Sequence, residues 1–82
     1  MVGFEAETRL TDLQDLERRL ALKRRDAGLD VLILVVADTR HNREVLRLHR
    51  ESLRASFPLD TGEILGSLAR GLPPRVDGLI VI

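Results

Sequence analysis

The 82 residues make one small domain, and their 13 basic and 13 acidic residues cancel. A net charge of zero argues against a dedicated nucleic-acid module, whose usual footprint is a basic excess. The absence of cysteine excludes disulfides and thiolate metal sites, and no apolar run approaches the roughly 18 residues that cross a bilayer.

Hydrophobic content of 44% and charged content of 32% are those of a folded globular chain. Glu5 and Glu7 precede any apolar stretch, so the N-terminus does not read as a signal peptide. A cytoplasmic protein with no membrane contact is the expectation. Lys23 is the one lysine among the basic residues; the rest are arginine. Either a high-GC coding bias or selection for bidentate contacts accounts for that. Val2 is strand-like at once and Ile82 closes an apolar strand, so the chain reads as cut from something longer.

In chain order, Val2 to Thr8 alternates, with Val2, Phe4 and Ala6 on one side and Gly3, Glu5 and Glu7 on the other. That period of two predicts a half-buried strand whose acidic side is wet. A helix follows from about Thr11, with Thr11 and Gln14 as a capping box and Asp12 at the positive end of the dipole. Leu13, Leu16 and Leu20 form its buried stripe, extended by Ala27, and Gly28 stops it.

Val31 to Ala37 is unbroken, apolar and rich in β-branched residues, which suits a strand covered on both faces. Strand, helix and strand with short joints form a βαβ unit, whose crossover is right-handed and whose strands are parallel. A second helix is predicted from Asp38 or Thr39 to Phe57, with Val45, Leu46, Leu53 and Phe57 inward and His49 among them as a core or interface residue. Asp60 and Glu63 make a capping box for a short helix through Ala69, ended by Gly71. Leu72 to Arg75 is an extended linker, and Leu79 to Ile82 a last, apolar strand expected in the middle of the sheet. The fold class is therefore α/β: a small three-stranded, mainly parallel sheet in the order β-α-β-α-α-β, with helices packed on it.

Three constellations carry candidate chemistry. Asp38, Thr39, Arg40, His41 and Asn42 follow the central strand, and open α/β sheets bind ligands outside the carboxyl ends of their strands. The competing reading is helix capping and strand-end hydrogen bonding. Arg40, Arg43, Arg47, Arg50 and Arg54 recur every three or four residues, a stripe about 80° wide at about 100° per residue. Such a ridge suits nucleic-acid phosphates, but Glu44 and Glu51 beside it also suit a solvated, ion-paired face. Glu5 and Glu7 share one side of a strand, where paired carboxylates can hold a hard cation such as magnesium; two acids on a wet face need no such task. No nucleophile or phosphate-binding glycine loop stands at a recognisable spacing, and no cofactor is expected.

The stretches FEAETRLTDLQDLERRLALKRRDAG, DVLILVVADTRHNREVL, FPLDTGEIL and GLIVI resemble the C-terminal domain of Xre-type helix-turn-helix regulators of high-GC bacteria. The resemblance covers nearly the whole chain. It implies a non-enzymatic regulatory or dimerisation domain of a transcriptional regulator, with DNA bound by an upstream head, a homodimer as the working form and a small-molecule effector. A more distant likeness is to the PD-(D/E)xK nuclease-like fold, through Glu5-Ala6-Glu7-Thr8 and Gln14. Glu7 stands where that family has its lysine and the upstream aspartate is missing, so this likeness implies an inactive relative of a metal-dependent nuclease.

Overall fold

A computed structural model describes all residues, Met1 to Ile82. The elements are β1 (Val2–Glu7), α1 (Leu13–Ala27), β2 (Val31–Val36), α2 (Arg40–Leu48), α3 (Arg50–Ser56), α4 (Thr61–Ala69) and β3 (Gly78–Val81). The three strands form one wholly parallel sheet in the order β1-β2-β3, with Val2 opposite Val31 and Ile33 opposite Gly78. This is the small α/β fold read from the sequence. No helix is long and apolar enough to cross a membrane.

The central strand is β2, and its apolar run serves both faces of the sheet. Leu32, Leu34 and Val36 point into a core made with Leu10, Leu16 and Leu20 of the α1 region and Leu53 and Phe57 of the α3 region. Val31 and Ile33 point the other way, against Ile64 of α4 and Ile80 of β3. So α1, α2 and α3 cover one face, and α4 alone covers part of the other.

The last strand is not central but an edge. Its apolar residues are still sequestered, because Leu79 faces the larger core and Ile80 the smaller. Gly78 is needed where β3 begins: a Cβ there would lie 2.5 Å from Ile64 Cδ1 and 2.9 Å from the Leu59 carbonyl oxygen.

Three local expectations are corrected. The N-cap of α1 is Asp12 rather than Thr11, its carboxylate accepting the Asp15 amide at 3.0 Å. Ala27 at the far end of α1 is exposed, and Gly28 takes the left-handed conformation (φ 64°) that stops the helix. The predicted second helix is two helices, broken at His49, whose backbone (φ −113°, ψ 25°) leaves the helical region. His49 is exposed at that break and is not a core residue.

The strand β1 has the predicted period with its faces exchanged. Glu5 and Glu7 lie beneath α1 with side chains only 28% and 20% exposed, while Phe4 on the opposite side is 50% exposed. The acidic side is the covered one because α1 brings cations to it: Lys23 pairs with Glu5 and Arg19 with Glu7.

Candidate functional site

The junction of β2 and α2 is first of all a structural staple. Thr39 caps α2 by accepting the Asn42 amide on Oγ1 at 3.1 Å. Asn42 is fully buried, and both the oxygen and the nitrogen of its side chain are engaged. Its Oδ1 accepts the Leu10 amide at 2.8 Å, and its Nδ2 donates to the Thr8 and Ala37 carbonyls at 2.9 Å each. His41 Nε2 lies 2.6 Å from the Leu10 carbonyl, which can only accept, so that nitrogen carries the proton and donates. Together these bonds tie the loop between β1 and α1 to the start of α2. The Asn42 side chain is thereby committed to the fold, as is His41 through its Nε2, whereas Asp38 and Arg40 remain at the surface.

Asp38 is held by Arg43 in a two-point pair, Nε to Oδ1 at 2.5 Å and Nη2 to Oδ2 at 2.8 Å. The hydrogen bond from that guanidinium keeps the Asp38 carboxyl below its usual range. Arg47 makes the same kind of pair with Glu44, at 2.5 and 3.2 Å. Of the expected lacing by Glu44 and Glu51, the Glu44–Arg47 pair forms, while Arg43 pairs instead with Asp38 ahead of the helix. The lacing stops there: Glu51 joins no ion pair, and Arg40, Arg50 and Arg54 have no carboxylate partner.

The break at His49 also divides the row, setting Arg50 and Arg54 on α3. There they border a cleft of about 420 Å³ whose apolar wall includes Leu46, Leu53, Phe57 and Leu79. The far side is the turn Pro58 to Thr61 that leads into α4. A shallower hollow of about 510 Å³ continues from it past Arg47 and Arg43 to Asp38. The two share Leu46, Arg50, Thr61 and Val81, so one concave strip runs along the carboxyl ends of β2 and β3.

The expected location at the strand ends is therefore concave, but its wall comes from α3 and the start of α4 rather than from His41 and Asn42. A sequence signal existed in Arg50 and Arg54, four apart on one flank of the Leu46, Leu53 and Phe57 stripe. The N-terminus of α4 is closed to anions by its own capping box, with Asp60 Oδ1 accepting the Glu63 amide at 2.8 Å. Guanidinium groups are what the cleft offers to an anion, and their planar fork suits carboxylate or phosphate.

At Glu5 and Glu7 a cation would have to displace the ammonium of Lys23 and the guanidinium of Arg19, which sits 3.4 Å from Glu7 and 3.2 Å from Asp15. No group of three or more His, Asp or Glu side chains converges anywhere in the fold. One further carboxylate, not singled out from the sequence, is structural. Asp77 Oδ1 accepts the Leu32 amide at 2.9 Å and its other oxygen pairs with Arg24, extending the β2–β3 ladder below Gly78.

Comparison with protein-family models, with curated proteins and with solved structures gives no match to this chain.

Proposed function

We propose that this chain is a non-enzymatic regulatory and dimerisation domain of a DNA-binding transcriptional regulator, and that it senses an anionic organic effector in the cleft beside α3. The observation that carries the sensing role is the pair Arg50 and Arg54, without carboxylate partners, over an apolar wall. Such a surface favours a molecule with one acidic and one greasy end. Binding is favoured over catalysis because no histidine lines the cleft and its one carboxylate, Asp60, is committed to capping α4. The likeness to Xre-type regulators supports the placement beside a DNA-binding head, which would make the DNA contacts.

The test is a thermal-shift screen of medium-chain and aromatic carboxylates and phosphate monoesters at low ionic strength. A ligand held at a hundred times its Kd stabilises the folded state by about 2.7 kcal/mol. Arg50→Gln with Arg54→Gln should abolish that shift without lowering the melting temperature of the free protein. A shift that survives the double substitution puts the effector elsewhere, and no shift across the panel ends the sensing role.

A second reading rests on the same free arginines. Arg40, Arg50 and Arg54 are exposed and unpaired, and direct contact with nucleic-acid phosphates would use them together with Arg43 and Arg47. It requires DNA binding that weakens steeply with salt and is lost when Arg50 and Arg54 are changed to Glu.

A further inference from the structure

We infer that two copies of this domain join through the free edge of β1, antiparallel about a two-fold axis at Phe4, making one six-stranded sheet. This names the surface for the dimerisation role proposed above and rests on that role.

The two edges of the sheet are treated differently by the chain. Along β3 the outward amides are occupied, Leu79 donating to the Leu59 carbonyl at 3.0 Å and Val81 to Thr61 Oγ1 at 2.9 Å. The segment at Leu59 even forms a parallel bridge to Gly78, so the turn before α4 closes that side. On β1 nothing plays this part, since its one neighbour is β2. The Met1 and Glu7 carbonyls accept from Asp30 and Ala37 on the β2 side. Odd-numbered residues of β1 therefore turn their backbone groups inward, and Val2, Phe4 and Ala6 turn theirs outward. Edges left this way are templates for another strand, and natural ones are blunted by proline, bulges or unpaired charge. Here there is no proline, and Glu5 and Glu7 are already neutralised by Lys23 and Arg19.

Self-pairing fits this edge in one register. With Phe4 opposite Phe4, Val2 meets Ala6 on both sides of the axis and all three outward residues of each copy exchange hydrogen bonds. Glu5 then lies across from Gly3, which has no side chain to obstruct it. Moving the axis to Glu5 sets the Lys23–Glu5 ion pair of each copy directly against its own duplicate, like charge facing like; moving it to Gly3 leaves Ala6 unpaired. In the favoured register the half-exposed Phe4 rings meet as a cross-strand aromatic pair. The apolar strip of exposed Phe4 and Ala6 and half-buried Val35 then becomes continuous between the copies. A second copy is thus the occupant that satisfies hydrogen bonding, charge and apolar surface together.

The experiment is light scattering over a hundredfold concentration range on the unaltered chain, Ala6→Pro and Phe4→Lys. Proline at position 6 removes an outward amide and none of the bonds to β2. Both variants should weaken dimerisation at least tenfold while keeping the far-ultraviolet spectrum of the parent. Mixed isotope labelling should show an intermolecular contact between the α-protons of Gly3 in one copy and Glu5 in the other, a readout that holds even if Ala6→Pro fails to fold. A dimer indifferent to Phe4→Lys and lacking that contact overturns the β1 interface and leaves the dimerisation role standing. An unaltered chain that stays monomeric throughout overturns both.

Discussion

The two faces of the sheet show how differently one chain can finish its own core. Under α1, α2 and α3, eight buried residues pack as one cluster, and its border is sealed by ion pairs at Glu5, Glu7 and Asp77. Under α4 only four residues are buried, and the β1 end of that face stays open at Phe4 and Ala6. One helix crossing three strands cannot cover them all, and α4 is held over β3 by Thr61 and Ile64. The closed face accounts for folding, and the open one is where a partner has surface to gain.

Substitutions should separate the two faces by size of effect. Leu34→Ala, at a fully buried position of the closed face, should cost about 3 kcal/mol by urea denaturation, combining lost transfer energy with a cavity. Val35→Ala, one residue on and facing the open side, should cost about 1 kcal/mol. Equal costs would mean that the open face is covered in solution.

Asn42→Ala tests the staple that closes the other end of the large core. It leaves the Leu10 amide and the Thr8 and Ala37 carbonyls without their partner, and should cost about 2 kcal/mol. Hydrogen exchange should quicken at Leu10 before the sheet is affected, and unchanged protection there would show that Asn42 does not hold this loop.

The smallest effect belongs to the surface pair of Asp38 and Arg43. The folded carboxyl titrates below its unfolded value, so the pair stabilises above about pH 4 and its contribution fades as pH falls through the depressed folded value. Asp38→Asn should therefore melt slightly below the parent at pH 7, and the two curves should converge as the solution is acidified. A gap that widens on acidification would mean that Arg43 does not stabilise the ionised Asp38 carboxylate in the folded state.

Much of this was legible in the residues themselves. The β2 strand, the left-handed stop at Gly28 and the Asp60–Glu63 capping box depend on neighbours in sequence, and local chemistry suffices to read them. The break at His49 carries no proline or glycine to mark it. The region expected at the carboxyl ends of the strands is concave, but His41 and Asn42 of the polar cluster there tie down the loop between β1 and α1. A polar cluster after a strand looks the same whether it binds a ligand or ties down a loop. Only the arrival of Thr8 and Leu10 beside Asn42 and His41, more than thirty residues away in the chain, distinguishes the two.

Period and apolar length, then, determined by sequence alone that this is a parallel α/β sheet with β2 buried, because backbone geometry turns each pattern into one kind of element. Tertiary structure decided the rest. Period two says that β1 has two sides, but α1, by carrying Lys23 and Arg19 over one of them, decided that the acidic side is the covered one. An apolar run says that β3 is buried, but the turn at Leu59 decided that it could be an edge and still be closed. Coverage is a property of neighbours brought from elsewhere in the chain, and no local pattern records which neighbours will come.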